Sequence, residues 1–256
     1  MVRGMKPTER FSDRVEAYVR HRPSYPSEVL AAIREGLRVS PPAEVADVGA
    51  GTGIFSALLL AEGYRVTAVE PNEAMRGAAA RMLEGRLDFK AIHGTAESTG
   101  LPDASVDLVT AAQAFHWFDP VRARAELLRI TRAPHPVALI WNSRSLDATP
   151  FLRAYDELLV RLSDDYTKVR NHNLGDAVFS AFYGPRGYER RVFASRQDFD
   201  REGFLGRALS SSYVPGASHP RHAETVRALG DLFDAHQENG AVAFLYDTEV
   251  FLGFLA

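Results

Sequence analysis

Apolar positions along this chain change their period several times, and each change marks an element. Phe11, Val15, Tyr18 and Val19 recur at helical spacing and predict a short amphipathic helix. It closes at Arg22-Pro23, because a residue before proline avoids the α region. A second helix opens at Ser24-Tyr25-Pro26-Ser27, with Val29, Leu30, Ile33 and Leu37 on one face. From Glu44 onward the pattern becomes strand–helix alternation. Short apolar runs predict strands at Glu44–Val48, Arg65–Val69, Phe89–Ile92, Val106–Ala111 and Val137–Trp141. Between them lie helices over Ile54–Glu62, closed by Gly63, and from about Asn72 to Glu84. A further helix starts at the Asp119-Pro120 cap pair and runs to Ile130. This alternation predicts an α/β fold with a doubly wound, mostly parallel sheet covered by helices on both faces.

After Ser145 the rhythm breaks. Phe151–Leu162 reads as helix, 163–176 as a polar, turn-rich stretch, Arg190–Phe199 as a strand and Ala223–Gln237 as helix. Ala241–Leu255 reads as a strand pair or one long bent strand. The whole is expected to be one domain, with 1–39 a helical lid, 40–145 the core, and 146–256 a sheet extension and cap. The aromatic-rich insert of Phe179, Phe182, Tyr183 and Tyr188 is expected to pack that lid or to accept a flat substrate.

Composition narrows the chemistry. The 256 residues include no cysteine, which excludes a disulfide scaffold, a thiolate metal site and a cysteine nucleophile. The net charge of −3 provides no basic field for nucleic acid. Met1–Arg14 is polar, and no run approaches the ~18 apolar residues of a membrane span, so a cytoplasmic location is expected. His219 and His222 are the closest histidine pair, without a carboxylate at ligand spacing, so no metal is expected.

The most informative residues are Asp47-Val48-Gly49-Ala50-Gly51-Thr52-Gly53, a strand running into a glycine-rich turn that opens a helix. Glycines there allow positive φ and close approach of a ligand to the backbone. Ile54 stands where a dinucleotide fingerprint needs its third glycine, and no Gly-Lys-Ser/Thr ending exists, which excludes a P-loop. Glu70 ends the next strand, before Pro71, where a carboxylate can accept both hydroxyls of a ribose. A ligand with a ribose and no pyrophosphate fits this set better than NAD. Gly94-Thr95-Ala96-Glu97 follows the third strand, and Gln113-Ala114-Phe115-His116-Trp117 follows the fourth. Ligands of open α/β sheets sit at the carboxyl ends of strands, which puts Gln113, His116 and Trp117 beside the ligand. His116 is the candidate general base, with a wall histidine packed on Trp117 as the other reading.

In these motifs the chain resembles the class I S-adenosylmethionine-dependent methyltransferases over roughly residues 40 to 145. The resemblance rests on Asp47–Gly53, Glu70-Pro71, Thr95-Ala96-Glu97 and Ser105-Val106-Asp107-Leu108-Val109. It implies a seven-stranded Rossmann-like sheet and S-adenosylmethionine as cofactor. It also implies that Gly49, Ala50, Gly51 and Gly53 pass beneath the methionine part and that Glu70 and Pro71 meet the ribose. By the same resemblance Thr95, Ala96 and Glu97 face adenine, and Asp47 orients the amino-acid end. Met75 lies against adenine or belongs to the core.

The lead-in Phe11-Ser12-Asp13-Arg14, Tyr18 and Arg22-Pro23-Ser24-Tyr25-Pro26 is similar to that of trans-aconitate methyltransferase-like enzymes. This implies that Tyr18 and Arg22 approach the cofactor carboxylate and that Tyr25 faces substrate. Phe204–Pro215 resembles a stretch that lies over the active site in that subgroup. Arg207 would pair there with an acidic substrate group, and Tyr213 and Trp117 would line the pocket. The expected function is methyl transfer to a small-molecule acceptor, a carboxylate among the candidates. The alternatives are a nucleic-acid or protein methyltransferase, and a cofactor-binding protein without catalysis.

Overall fold

The computed structural model describes residues 24–163, 166–167, 175–211 and 213–256. The expected helix over Phe11–Val19, and with it Tyr18 and Arg22, lies outside the described residues.

Seven strands form one sheet: β1 Glu44–Val48, β2 Arg65–Val69, β3 Phe89–Ile92, β4 Leu108–Ala112, β5 Pro136–Arg144, β6 Tyr188–Phe199 and β7 Val242–Phe254. Their spatial order is β3-β2-β1-β4-β5-β7-β6. The first five pair in parallel, and β7 lies antiparallel between β5 and β6. The chain reverses direction across the sheet between β1 and β4, so a crevice opens there at their carboxyl ends. The eight helices described are α1 Glu28–Leu37, α2 Ile54–Ala61, α3 Glu73–Met82, α4 Pro120–Ile130, α5 Pro150–Leu162, α6 Asp176–Tyr183, α7 Arg201–Leu209 and α8 His222–His236.

The period of two along each strand divides the core. On β1, Val45 joins α1 and α2 in one cluster, while Ala46 and Val48 join α4 and α6 in the other. Asp47 therefore shares the α2 side with Val45. Helix starts follow their caps: Asn72 Oδ1 accepts the Met75 N–H at 3.0 Å, and Asp119 Oδ1 accepts those of Val121 and Arg122 at 3.1 Å.

Several elements differ from the sequence reading. Strand β4 begins at Leu108, because Val106 makes only an isolated bridge to Thr131. Residues 242–254 form one continuous strand. Two helices, α6 and α7, arise at the aromatic insert and over residues to which the apolar pattern assigned no element. The insert is not a lid over a ligand. Phe179 stacks on Phe251 at 3.9 Å, Phe182 packs on Phe115 at 4.7 Å, and the buried Tyr183 hydroxyl donates to the Phe251 carbonyl at 2.8 Å. Their apolar area is spent inside the sheet core. Beyond the carboxyl end of β5, helices α5, α7 and α8 pack with the outer halves of β6 and β7 around Tyr155, Phe204 and Phe244. No described helix is long and apolar enough to cross a membrane.

Candidate active site

The turn after β1 holds the first group. Gly49, Gly51 and Gly53 all adopt positive φ, at 71°, 58° and 83°. A Cβ at Gly49 would stand 2.5 Å from the Ala114 Cβ, so the turn lies directly against the segment after β4. Among the described residues a Cβ at Gly51 would meet only the Met75 sulfur, at 3.9 Å, so none of them fills the space above this residue. Glycine at 51 thus serves access to the backbone, whereas glycine at 49 serves packing.

Glu70, at the end of β2, ties the turn to the next one. Its Oε2 accepts the Gly51 N–H at 2.9 Å and its Oε1 accepts the Asn72 N–H at 2.8 Å. The carboxylate is buried, and burial raises its pKa against the lowering effect of these two backbone bonds and of Arg76. Two backbone donors use half of its acceptor capacity and leave lone pairs for two hydroxyls. Arg76 Nη1 donates to the Glu70 carbonyl at 2.9 Å and steadies the strand end.

Asp47 is fully buried. Its Oδ2 accepts the Ser56 hydroxyl at 2.6 Å and its Oδ1 accepts Thr110 Oγ1 at 3.0 Å. Thr110 stands beside Asp47 in the β1–β4 register, and Ser56 comes from α2. Burial pushes the Asp47 carboxyl up to about 6, although both hydroxyl bonds oppose the shift. Asp47 thereby locks strand, helix and switch point together.

The loop after β3 forms the third wall. Thr95 and Ser98 bond each other across a tight turn, and Ala96 is buried in the core. Glu97 Oε1 accepts the Asp119 N–H at 2.8 Å, so this side chain is engaged at the start of α4. Glu126 holds the loop from the other end, accepting Thr99 N–H at 2.8 Å and Thr99 Oγ1 at 2.6 Å. Arg129 beside it, and then the Thr99 bonds, lower the Glu126 carboxyl to about 2. Met75 is buried in a small cluster with Ala78 beneath the open face of Gly51.

Past β4, Gln113 adopts φ 57°, a conformation that non-glycine residues rarely take. Its Nε2 donates to the Asn142 carbonyl at 2.9 Å, which joins β4 to β5. The His116 ring stands 4.5 Å from that of Trp117 and 4.9 Å from that of Trp141. Trp117 is 40% exposed. Tyr25 packs edge-on to Phe55 at 5.1 Å, which brings the segment before α1 over the first turn of α2. Pro71 is half-buried beside Glu70.

Arg207 and Tyr213 lie elsewhere, among the helices beyond β5. Arg207 is only 5% exposed and donates from Nη1 to Ser211 Oγ at 3.1 Å. The Tyr213 hydroxyl accepts from Arg144 Nη2 at 3.4 Å. Sequence reasoning missed Arg144, Ser56, Thr110 and Glu126, and placed Asn72 at the start of α3 without assigning its cap. The Asn72 cap was recoverable from its spacing before α3; the others act across the fold and have no local signature. A surface depression of 760 Å³ at the amino ends of the strands, bordered by Arg38, Asp107 and Arg132, is at the wrong end of the sheet for this chemistry.

The methyltransferase-domain family matches residues 46–134. An uncharacterized methyltransferase of Mycobacterium bovis is 35% identical over 174 residues, covering 64% of this chain and 68% of that protein. The chain belongs to the class I S-adenosylmethionine-dependent methyltransferases. A solved structure of a candidate type II methyltransferase from Anaeromyxobacter dehalogenans superposes on this methyltransferase with a TM-score of 0.67 at 27% identity. It covers 91% of this chain and 97% of its own. A malonyl-[acyl-carrier protein] O-methyltransferase of Methylococcus capsulatus is 38% identical over 119 residues, 41% of this chain and 40% of that one.

The cofactor of the methyltransferase is S-adenosylmethionine, and the site fits it. Among the described residues nothing covers the Gly51 face, and Glu70 keeps free lone pairs beside it. In the same turn, Thr52 Oγ1 is buried with no hydrogen-bond partner among the described residues. An unpaired hydroxyl and a backbone face that no described residue covers, both in one turn, suit the polar groups of this cofactor.

Proposed function

We propose that this methyltransferase acts on a small-molecule acceptor. One observation carries the reading. The polar groups beyond the carboxyl end of β5 that suit an acceptor, Arg207 of α7 above all, are buried where α5, α7 and α8 pack together. A group so enclosed is reached by a small molecule and not by a folded protein or a duplex.

When bound, S-adenosylmethionine supplies an activated methyl group on a sulfonium. The chain's part is alignment and exclusion of water, from which ~7–11 kcal/mol of barrier lowering is available. Glu70 and the open turn at Gly51 fix the donor end, with Thr95 and Ala96 along its other edge. Gln113 ties β4 to Asn142 on β5, so donor and acceptor walls are held by one hydrogen bond. We assign His116, Trp117 and Trp141 to an aromatic wall that keeps water from the reacting atoms. Tyr25 closes the opposite side. Held by Glu70 and the Gly51 turn, S-adenosylmethionine would supply a methyl group open to in-line displacement by the acceptor, with neutral S-adenosylhomocysteine as the leaving group. The relative from Methylococcus capsulatus is named as an O-methyltransferase, which supports an oxygen acceptor here. In this reading 1–39 and 146–256 close over the core formed by 40–145.

The test is incubation with S-adenosylmethionine carrying a labelled methyl group and a cell extract separated by size. Label in the small-molecule fraction supports the proposal. Label confined to protein or RNA overturns it.

A further inference from the structure

The helices beyond β5 hold two buried arginines that no acid among the described residues pairs with directly. Arg144 ends β5, opposite Tyr246 on β7. Arg207 comes from α7. Neither makes an ion pair among the described residues. Arg144 Nη2 donates to the hydroxyls of Tyr166 and Tyr213, at 3.1 and 3.4 Å, and Arg207 Nη1 donates to Ser211. Both guanidinium groups face aromatic rings: Arg144 lies 4.9 Å from the centre of Tyr155, and Arg207 lies 6.0 Å from that of Phe244. The nearby carboxylate of Asp156 accepts the Tyr166 hydroxyl at 2.5 Å.

Four polar atoms of this cluster are shielded from solvent and make no hydrogen bond among the described residues: Arg144 Nη1, Arg207 Nε and the hydroxyls of Tyr155 and Tyr246. A native interior rarely leaves one such group unsatisfied. Here four belong to one neighbourhood, since the Phe244 ring lies 5.2 Å from Tyr155 and 6.2 Å from Tyr246. Burial pushes the Tyr155 hydroxyl up to about 12, so it remains an O–H donor at neutral pH. Both guanidinium groups stay charged. All the unsatisfied nitrogens are donors and both hydroxyls can donate, which is the complement of an oxyanion.

We propose that Arg144 and Arg207, with the hydroxyls of Tyr155 and Tyr246, form a binding site for the oxyanion of a small organic acid. This group anchors the methyl acceptor and is not the atom that receives the methyl. An oxygen held by two guanidinium groups has its lone pairs engaged and is a poor nucleophile. The methyl-accepting atom lies toward Asn142, which accepts the Gln113 amide and shares a sheet face with Arg144 two residues on. At ~3.3 Å per residue, anchor and reacting atom are separated by ~7 Å along β5. The acceptor class is therefore a small acid with its nucleophile at some distance from its anionic group. This inference rests on the small-acceptor reading above.

Calorimetry on enzyme saturated with S-adenosylhomocysteine tests it, using benzoate, glutarate and phenyl phosphate as probes and benzamide as the neutral control. The native enzyme is expected to bind at least one anion and not benzamide, and Arg144→Met and Arg207→Met to weaken that binding at least ~10-fold. Affinity for S-adenosylhomocysteine stays unchanged in both variants, and Arg207→Lys recovers part of the anion binding. Preference for phenyl phosphate over the carboxylates identifies the oxyanion as a phosphomonoester and supports the site. Thermal midpoints separate a binding role from a structural one. Removing an unneutralised buried charge leaves the midpoint level or raises it, whereas loss of a structural stack lowers it. A lowered midpoint in both Met variants, with anion binding unaltered or absent from the native enzyme, overturns the proposal. Macromolecular label in the size-separated assay overturns the small-acceptor reading instead, and calorimetry with free anions is indifferent to that result.

Discussion

The carboxylate of Glu70 accepts the Gly51 amide at 2.9 Å and so joins the turn after β1 to the end of β2. The same side chain accepts the Asn72 amide, and so fixes the approach to α3. One residue thus shapes the turn and keeps acceptor capacity that the proposed reading assigns to the cofactor.

Replacing Glu70 by alanine removes both roles. Binding of S-adenosylhomocysteine is expected to weaken by about 1–3 kcal/mol, the cost of leaving polar partners unpaired in a buried site. Calorimetry reads this directly, and an unchanged affinity would remove Glu70 from the cofactor site.

Gly49 and Gly51 are expected to fail differently when changed to alanine. Both adopt positive φ, which costs a side chain about 1–2 kcal/mol. At Gly49 the new methyl also collides with Ala114, so a further ~1–3 kcal/mol of stability is lost. At Gly51 the methyl enters space that no described residue fills, so the fold loses little more while the cofactor loses its approach. Denaturation and S-adenosylhomocysteine titration of the two variants should therefore rank in opposite orders.

Asp47 predicts a pH dependence of stability. Its carboxyl rises from 3.8 to about 6 in the folded protein, so between these values the native state holds the proton more tightly. The resulting stabilisation is complete below pH 3.8 and is lost as pH rises through 6. The difference is about 3 kcal/mol. Asp47→Asn does not titrate, so its stability relative to the native protein should rise between pH 4 and 7. Urea denaturation at several pH values measures this, and a constant difference would contradict the assignment.

Glu126 has the opposite sign. Its carboxyl is lowered to about 2 by Arg129 and Thr99, so its stabilisation is present at neutral pH and is lost as pH falls toward that value. Glu126→Gln is expected to cost about 1–3 kcal/mol at pH 7 and to loosen the Thr95–Thr99 loop. Hydrogen exchange at the Thr99 amide should speed up in the variant if this bond holds the loop.

The parallel half of the sheet was legible because its signals are local. Strands β1, β2 and β3 run over the residues that the apolar pattern marks, and Asn72 and Asp119 cap the helices that follow. The glycine turn and Glu70 were legible for the same reason: each has a fixed place relative to a strand end. The second half was less readable. Helix α7 carries Gly203 and Gly206, which weaken a helical pattern, and it forms because Phe204 and Ala208 are buried against α8 and β7. Tyr183 and Phe179 read as packing for a lid or a platform for substrate because amphipathicity does not say which surface an aromatic face will meet.

By itself the sequence determined the element order, the turn conformation at Gly49–Gly53 and the placing of acid groups at strand ends, since all depend on neighbouring residues. Only the tertiary structure decided that Asp47 would be sealed between Ser56 and Thr110, and that Arg144 and Arg207 would be enclosed with donors unpaired among the described residues. Burial and charge balance depend on chain segments far apart in sequence, and the cost of an unpaired polar group exists only once those segments have closed around it.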